Sequence, residues 1–420
     1  MTKVTRFDRD SKATLRQLRI RGCLWLISAA TVALVVLTGA SNAQATSSFA
    51  IEDVTVVDVA TAATHPHQTV VIEGDHIIAI HSPSAIPKSA RVIRGTGKFL
   101  MPGLWDMRVH LTPDHASGRN PLPEYLAAGI TGVQDVGSDF VRVSAWRDAV
   151  KNGSAPGPEV LTSGPAVSGD EVSEDGSPVI VARNPIEARK AFDRLWDLNV
   201  DLISVTAALS PDSYFAIAEQ ARHWDLRIVG DLPGSISALN AFESRQQTLD
   251  HLSGLLKAVS TDQDALAFFD RCALMGVRML PGLGHWRRMA EDGDEKIKGQ
   301  IERIDHLVSL MSQSKVEILA GSDAGELGAE PGKSLHDELE WLVAAGLDPH
   351  QALAAATLAP VRMIGWDESR GSIEPGQSAD LLLLDANPLA DVKNTRKIAG
   401  VFARGRYYSR KELDALTAQK

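Results

Sequence analysis

Between residues 101 and 366, short apolar runs rich in β-branched residues alternate with longer segments of helical periodicity. The strand-like runs are Leu104–Val109, Gly132–Val136, Glu159–Ser163, Leu202–Val205, Leu226–Val229, Thr248–Leu249, Gly276–Leu280 and Val316–Ala320. This alternation is typical of a parallel sheet, because parallel strands are usually connected through a helix. Eight strands over about 260 residues predict a (β/α)8 barrel, that is, a TIM barrel. A doubly wound open sheet is the competing architecture, since strand order cannot be read from a sequence.

The segments between the strands are predicted to be mostly helical. Amphipathic patterns cover Pro185–Asp197, Asp212–His223, Asp262–Leu274, Glu295–Gln313 and Ser334–Ala345. One connection differs, because Gly164–Pro178 is rich in Gly, Ser, Asp and Glu and is predicted to be a mobile crossover loop.

Both ends of the chain beyond the N-terminal segment are rich in β-branched and leucine runs. Residues 50–100 contain three strand-like runs, and residues 371–408 contain two more. We expect the two regions to form one small split β-domain, a β-sandwich built from both termini, followed by a C-terminal tail at 409–420. The alternative is a pair of separate edge sheets. In both cases residues 101–366 are predicted to form the barrel.

Residues 1–43 have the pattern of a secretory signal peptide. Seven Lys and Arg residues precede an apolar run from Cys23 to Ala40, and small residues at Ala43 and Ala45 suit cleavage. An uncleaved membrane anchor is the alternative, since the run could just span a bilayer. The sequence therefore predicts an exported protein, periplasmic or secreted, or one anchored with its barrel outside the cytoplasm.

Charge and cysteine content limit the partners. The N-terminal segment carries seven basic and two acidic residues, so its removal changes the formal net charge from −10 to −15. This negative charge opposes binding to nucleic acid or to an anionic membrane. Only Cys272 remains after cleavage, which excludes an intramolecular disulfide. The expected partner is a small molecule, and the sequence does not determine an oligomeric state.

Several short motifs follow one another along the chain. The first predicted strand ends in Pro102-Gly-Leu-Trp-Asp-Met-Arg-Val-His110. It is followed along the chain by Gly129-Ile-Thr-Gly-Val-Gln-Asp-Val-Gly137, Thr248-Leu-Asp-His251, Ala320-Gly-Ser-Asp-Ala-Gly325 and a tail beginning Gly371-Ser-Ile-Glu-Pro-Gly-Gln-Ser-Ala-Asp. Together they resemble the amidohydrolase superfamily, in particular its imidazolonepropionase-like and prolidase-like metal-dependent hydrolases.

The resemblance implies a set of metal ligands at the carboxyl ends of the barrel strands. Family members use His-x-His on strand 1, often a carboxylated Lys on strand 4, His on strands 5 and 6, and Asp on strand 8. In this sequence His110, His251 and Asp323 match that plan, Asp231 falls at or beside the strand-5 position, and Arg108 and Ser204 replace ligands. The matching residues could hold one Zn²⁺ or other divalent ion, but they are not the set of a binuclear centre.

Arg108 leaves two interpretations open. A guanidinium has no lone pair for a metal and carries a permanent positive charge. If one ion is bound, Asp323 is a ligand or the general base for an attacking water. If none is bound, Asp323 pairs with Arg108.

The resemblance therefore implies a hydrolase for a non-peptide C–N bond, an amide or a cyclic amide, with at most one metal ion. The alternative is a metal-free pseudoenzyme that binds a small molecule or partner in the same pocket. In both cases Arg108, His110, Asp231, His251 and Asp323 should converge at one end of the barrel. His285 follows the seventh strand and could contact an anionic or aromatic substrate, but the sequence favours a surface loop for it.

Overall fold

The computed structural model describes residues 48–418, apart from residues 82–85, 87, 114–117, 172–177, 235, 237–240, 242–243 and 245. The predicted signal segment, residues 1–43, lies outside the described residues. In the part of the chain that is described, no helix has the length and apolar character needed to cross a lipid bilayer.

The described chain contains seventeen strands and thirteen α-helices. The strands are β1 (Ser48–Asp58), β2 (Ala63–Glu73), β3 (His76–His81), β4 (Arg91–Arg94), β5 (Phe99–Pro102), β6 (Leu104–Val109), β7 (Ile130–Asp135), β8 (Glu159–Thr162), β9 (Ala166–Ser168), β10 (Val179–Val181), β11 (Leu202–Val205), β12 (Arg227–Gly230), β13 (Thr248–Asp250), β14 (Arg278–Leu280), β15 (Leu381–Leu384), β16 (Ile398–Ala403) and β17 (Arg406–Ser409). The helices are α1 (Leu122–Ala127), α2 (Phe140–Lys151), α3 (Pro185–Leu198), α4 (Pro211–His223), α5 (Ser253–Ala258), α6 (Asp262–Met275), α7 (Leu283–Glu291), α8 (Glu295–Lys298), α9 (Ile301–Ser312), α10 (Lys333–Ala344), α11 (Pro349–Ala355), α12 (Leu358–Ile364) and α13 (Arg410–Thr417). A 3-10 helix covers Val392–Arg396.

The two ends of the described chain meet in one eight-stranded sheet. Its order is β17-β16-β15-β5-β1-β2-β3, with β4 beside β1. Strand β15 from the C-terminal region pairs antiparallel with β5, so that Leu381 lies opposite Pro102 and Leu384 opposite Phe99. This pairing confirms a β-domain built from both termini and excludes two separate edge sheets.

The run of four leucines in β15 is buried on both faces of this sheet. Successive side chains of a strand point to opposite faces. Leu381 and Leu383 accordingly pack in the core of the β-domain, and Leu382 and Leu384 pack in the large core shared with the barrel. A continuous apolar run is what such a doubly buried strand requires.

The central region is a barrel of parallel strands. Parallel pairing connects β6 to β7 and β7 to β8, β9 to β11 and β11 to β12, and β13 to β14. Backbone contacts join these groups. The Asp201 amide donates to the Thr162 carbonyl over 2.9 Å, and single bridges connect Ile228 with Gln246 and Met279 with Ile318.

The eighth strand position lies beside the first strand, β6, because the Met107 amide of β6 donates to the carbonyl of Ala320 over 3.0 Å. The (β/α)8 prediction is confirmed, and the doubly wound sheet is excluded.

Three local predictions differ from the structure. Val316–Ala320 forms one bridge, between Ile318 and Met279, in place of a regular strand, although it occupies the eighth strand position. The predicted loop Gly164–Pro178 contains β9, which pairs with β10 and β11. The helix predicted at Glu295–Gln313 is divided into α8 and α9 at Gly299, the residue that caps α8. Glycine is a weak helix former, which explains the break.

We predict that a chain truncated after Trp366 does not fold into soluble protein, because it loses β15–β17. Burial of the four β15 leucines alone contributes about 1.5–3 kcal/mol each. That sum is comparable to the net stability of a typical domain, about 5–15 kcal/mol. The soluble fraction and the circular dichroism spectrum measure the outcome. Removal of residues 418–420, which leaves every described strand in place, is the control, and a soluble, normally folded truncation would contradict the prediction.

Candidate active site

The five residues predicted to converge do so at the carboxyl ends of the barrel strands. Arg108 and His110 lie at the end of β6, Asp231 follows β12, His251 follows β13, and Asp323 follows the eighth strand position. Ionic contacts connect them into one cluster. The carboxyl ends of the strands are where (β/α)8 barrels hold their chemistry.

Arg108 lies inside this cluster. Its Nε donates to Asp323 Oδ1 over 2.6 Å, and its Nη1 donates to Asp250 Oδ2 over 2.9 Å. Burial alone would lower the pKa of the guanidinium, but the Asp323 and Asp250 carboxylates outweigh burial and raise that pKa. Arg108 thus forms the ion pair with Asp323 that was expected for the case without a metal ion, and Asp250, which the sequence did not indicate, is its second partner.

The local backbone of β6 explains how Arg108 reaches the site. The pairing between β6 and β7 shifts register between Asp106 and Val109. An irregularity of this kind re-aims the side chains of a strand. Asp106 itself is buried and accepts from the amide and the hydroxyl of Ser322, which ties β6 to the loop that carries Asp323. Burial raises the pKa of Asp106 to about 7 despite these bonds.

His251 lies between two carboxylates. Its Nδ1 is 3.0 Å from Asp231 Oδ1, and its Nε2 is 3.2 Å from Asp323 Oδ2. Burial alone would lower the pKa of this imidazole, but Asp323 and Asp231 raise it well above 6.5. Asp231 thus contacts the ring nitrogen that faces away from Asp323, a position from which a carboxylate orients a histidine.

Asp323 is the carboxylate that joins the cluster together. Burial alone would raise its pKa, but His251 and Arg108 lower it, so Asp323 is ionised. Both His251 and Asp323 adopt left-handed backbone conformations, with φ of +60° and +53°. This conformation is costly for residues other than glycine, and residues in it cluster at functional sites.

His285 also belongs to the site, and the prediction of a surface loop for it is wrong. It lies in α7, and its ring stacks on that of His251 with centroids 4.2 Å apart and planes 21° apart. No described residue forms a hydrogen bond with its buried Nδ1. Burial and the nearby His251 lower its pKa to about 3, so the ring is neutral at pH 7.

Glu326 is a second residue that the sequence did not indicate. It is buried, and its Oε1 contacts His110 Nε2. Its position depends on Gly325, which has φ of +106° and whose added Cβ would lie 2.3 Å from the His110 carbonyl oxygen. The available signal was its spacing, because Glu326 lies three residues after Asp323.

The neighbouring helices hold this arrangement in place. The buried carboxylate of Glu338 in α10 accepts from the amides of Leu283 and Gly284 over 2.9 and 2.7 Å. These amides begin α7, the helix that carries His285. Burial raises the pKa of Glu338 to about 7. Gly282, just before α7, leaves room for the His251 ring, since a Cβ there would lie 2.7 Å from His251 Cδ2.

The donor groups of the site suit one metal ion and not two. Ser204 is buried on β11, and a neutral hydroxyl is a poor bridge between two ions. With Arg108 inside the cluster as well, the residues do not fit a binuclear centre. Two described groups of three donor atoms could each hold one ion: His110, Asp323 and Glu326, or His251, His285 and Asp323.

Net charge also fits one divalent ion. The carboxylates of Asp231, Asp250, Asp323 and Glu326 surround Arg108. If all four are ionised, they outnumber Arg108 and a protonated His251 by two, and burial raises the pKa of Asp250 accordingly. Buried carboxylates without enough cations are strongly disfavoured.

Ring geometry favours the first of the two groups. An imidazole lone pair lies in the plane of its ring, so the stacked rings of His251 and His285 cannot both direct a lone pair at an ion between them. In the other group, His110 Nε2 is 3.9 Å from Asp323 Oδ1. Two ligand atoms about 2.1 Å from one tetrahedral ion lie about 3.4 Å apart, so small adjustments would suffice.

The similarity of this chain to known proteins identifies its family. The sequence profile of the Amidohydrolase family matches residues 99–407. The chain belongs to this family.

The amidohydrolase has relatives of known activity and structure. It is 24% identical over 388 residues to ochratoxinase of Aspergillus niger, a match covering 76% of this chain and 78% of the relative. It is 25% identical to adenine deaminase of Desulforamulus reducens over 80% of this chain and 54% of that protein. The structure of a putative prolidase from Bifidobacterium longum superposes with a TM-score of 0.74 and 26% identity, over 89% of this chain and 98% of that one.

In the metal-free amidohydrolase we predict that His251→Gln destabilises most in mild acid. The pKa of His251 is raised above its unfolded value of about 6.5. Its contribution is therefore fully present below that pH and is lost as the pH rises through the folded pKa. Urea denaturation of parent and variant should show a difference in unfolding free energy that is larger near about pH 6 than near about pH 9. A difference that grows with pH would contradict the raised pKa.

We further predict that Arg108→His binds zinc at least tenfold more tightly than the parent, a gain of ~1.4 kcal/mol or more. The substitution restores a second imidazole and removes the competing charge. Calorimetric titration with zinc measures it. Arg147→His is the matched control, because Arg147 is also partly buried and paired with a carboxylate, Asp201 at 3.0 Å. Equal zinc affinity in parent and Arg108→His would show that Arg108 does not limit metal binding.

Proposed function

We propose that this amidohydrolase hydrolyses a non-peptide C–N bond, an amide or a cyclic amide, in a small molecule, with at most one divalent ion. The observation that carries the proposal is the cluster of Asp323, His251 and Arg108 at the carboxyl ends of the barrel strands. The relatives support the reaction class, because ochratoxinase and adenine deaminase are hydrolases of amide or other C–N bonds.

The residues that would hold the ion are His110, Asp323 and Glu326, whose donor atoms lie within 4.8 Å of one another. When bound, the ion would supply a positive charge that makes water easier to deprotonate and a carbonyl easier to attack. Zinc suits a donor set of nitrogen and oxygen atoms.

Asp323 and His251 are placed to move the protons of amide hydrolysis. As water adds to the carbonyl carbon, the ionised Asp323 accepts the proton that the water loses. As the C–N bond breaks, the leaving nitrogen needs a proton, and the protonated His251 can donate it. Asp323 Oδ2 and His251 Nε2 are 3.2 Å apart, so the proton on Asp323 can pass to His251 and restore both groups. Asp231 keeps the His251 ring in the required orientation.

We predict hydrolysis of at least one simple amide by the purified protein supplied with one equivalent of zinc. Suitable probes are benzamide, acetanilide, hydantoin and δ-valerolactam, with the dipeptide Gly-Pro as the peptide comparison, and release of amine and acid is measured chromatographically. Asp323→Asn should lower kcat by at least about a hundredfold, the usual contribution of a positioned general base. Asp385→Asn is the control, because Asp385 is an exposed carboxylate paired with Lys98.

The same experiment can refute the proposal. No hydrolysis of any probe by the zinc-supplied protein would oppose it, and preferential cleavage of Gly-Pro would oppose the non-peptide assignment. Activity that survives removal of metal by a chelator would assign the chemistry to the side chains alone.

One observation favours a second candidate, a metal-free binding protein. Arg108 already bonds two carboxylates of the cluster, Asp323 and Asp250, and so neutralises part of the charge that an ion would neutralise. Elemental analysis together with the hydrolysis assay separates the two candidates, because a bound divalent metal or the hydrolysis of a probe is expected of the hydrolase and not of the metal-free binding protein. Absence of metal together with absence of hydrolysis would support the second candidate.

We also propose that the protein is exported. The basic residues before Cys23, the apolar run to Ala40 and the small residues Ala43 and Ala45 support this proposal. Intact-mass measurement should show a mature chain that begins after Ala43 or Ala45. A full-length chain in the cytoplasmic fraction would contradict export, and a full-length chain in the membrane would favour the anchor.

A further inference from the structure

The geometry points to Arg108 as the residue that stabilises the oxyanion of the reaction. We infer that its third nitrogen, Nη2, donates a hydrogen bond to the substrate oxygen that becomes negative when water attacks the carbonyl carbon. This inference rests on the proposed function, because it assigns a role in amide hydrolysis. In the family pattern the same position is a metal ligand, so the assigned role is new for this residue.

The first support is the way in which the guanidinium is anchored. Nε and Nη1 donate to Asp323 and Asp250, and these bonds fix the plane of the group. Nη2 donates to no residue that the structure describes, and it is not among the fully enclosed atoms that lack partners. The Arg108 side chain keeps 10% of its surface exposed. A fixed donor with a free N–H is what electrostatic preorganisation requires.

The second support is where the group lies in the barrel. Arg108 starts from β6, and Asp250 ends β13, which is separated from β6 by β14 and the eighth strand position. The side chain therefore reaches across the mouth of the barrel and does not lie along its wall. A substrate bound at the carboxyl ends of the strands must pass close to it.

The third support is charge. An oxyanion that forms beside the carboxylates of Asp323, Asp250 and Glu326 would be repelled by them. A guanidinium stays protonated in proteins, so Arg108 keeps its positive charge throughout the reaction. The two ion pairs of Arg108 reduce the net charge of the site, but they leave the N–H groups of Nη2 free to donate.

The side chains of the site account for each proton that moves in this step. The oxygen of water forms a bond to the carbonyl carbon, the π electron pair moves to the carbonyl oxygen, and the water proton goes to Asp323. The oxyanion accepts from Arg108 Nη2, which keeps its proton. When the C=O bond forms again, the C–N bond breaks and the leaving nitrogen takes a proton from His251.

Three small ligands that share a phenyl ring test this role without turnover: phenylphosphonate, benzoate and benzamide. Phenylphosphonate carries anionic oxygens on a tetrahedral centre, benzoate is a planar carboxylate, and benzamide is a neutral amide. The zinc-supplied parent should bind phenylphosphonate at least tenfold more tightly than the other two. Arg108→Lys, which keeps the charge but not the three-nitrogen fork, should lose at least tenfold in phenylphosphonate affinity and less than threefold in benzamide affinity. Arg147→Lys should change neither.

Kinetics supply the second readout, on whichever probe amide the parent hydrolyses best. Loss of one oxyanion donor lowers kcat by about 10²–10³. We expect a fall of this size in Arg108→Lys with little change in KM. In Arg108→Ala, added guanidinium ion should restore part of kcat. If Arg108→Ala does not fold, as judged by thermal unfolding, the lysine variant carries the test.

Each outcome decides a separate claim. Equal losses for all three ligands, or a loss confined to benzoate, would overturn the inference, and the latter would make Arg108 a clamp for a substrate carboxylate. A parent that hydrolyses a probe while Arg108→Lys retains its kcat would also overturn it. A parent that hydrolyses no probe would refute the proposed function instead, whatever the binding data show.

Discussion

The contact between Arg108 and the carboxylates of Asp323 and Asp250 organises the rest of the site. A guanidinium enters a buried position only with anionic partners, and buried carboxylates need a cation. These requirements tie β6, β13 and the loop after the eighth strand position to one point in the barrel mouth. His251 then approaches Asp323 from the other side, and Asp231 supports His251. These residues thus form a chain of alternating charges.

This arrangement is held by backbone that is locally unfavourable. His251 and Asp323 both have left-handed conformations, which cost of order 1–3 kcal/mol each in residues other than glycine. The surrounding structure must supply that free energy, and two glycines show how. Gly282 and Gly325 permit contacts with His251 and His110 that any side chain would obstruct. The Glu338 carboxylate adds bonds to the start of α7. Part of the stability of the barrel therefore serves to keep the loops that carry His251 and Asp323 in strained conformations.

Much of the fold could be predicted from the sequence, and only part of the site. Alternating strand and helix patterns are local properties, so the number of barrel strands and the split β-domain were predictable. The positions of His110, His251 and Asp323 followed from a motif at the end of each strand.

His285 and Glu326 were not predicted, because they reach the site through the direction of α7 and the turn at Gly325. Neither the direction of a helix nor a turn of this kind produces a periodic pattern in the sequence. Asp250 was overlooked because a carboxylate next to a motif histidine has no pattern of its own, and its importance depends on Arg108 reaching across the barrel.

The split β-domain has a consequence for synthesis of the protein on the ribosome. Leu100 of β5 pairs with Leu383 of β15, so β5 must wait for this neighbouring strand until the whole barrel has been translated. At about 5–20 residues per second, that wait is on the order of tens of seconds. During this time β5 presents an unpaired edge, the kind of surface that recruits other nascent chains. The barrel sequence is thus an insertion into a sheet that cannot be completed until β15 has been translated, and a chaperone that shields the free edge of β5 would act while the barrel is still being synthesised.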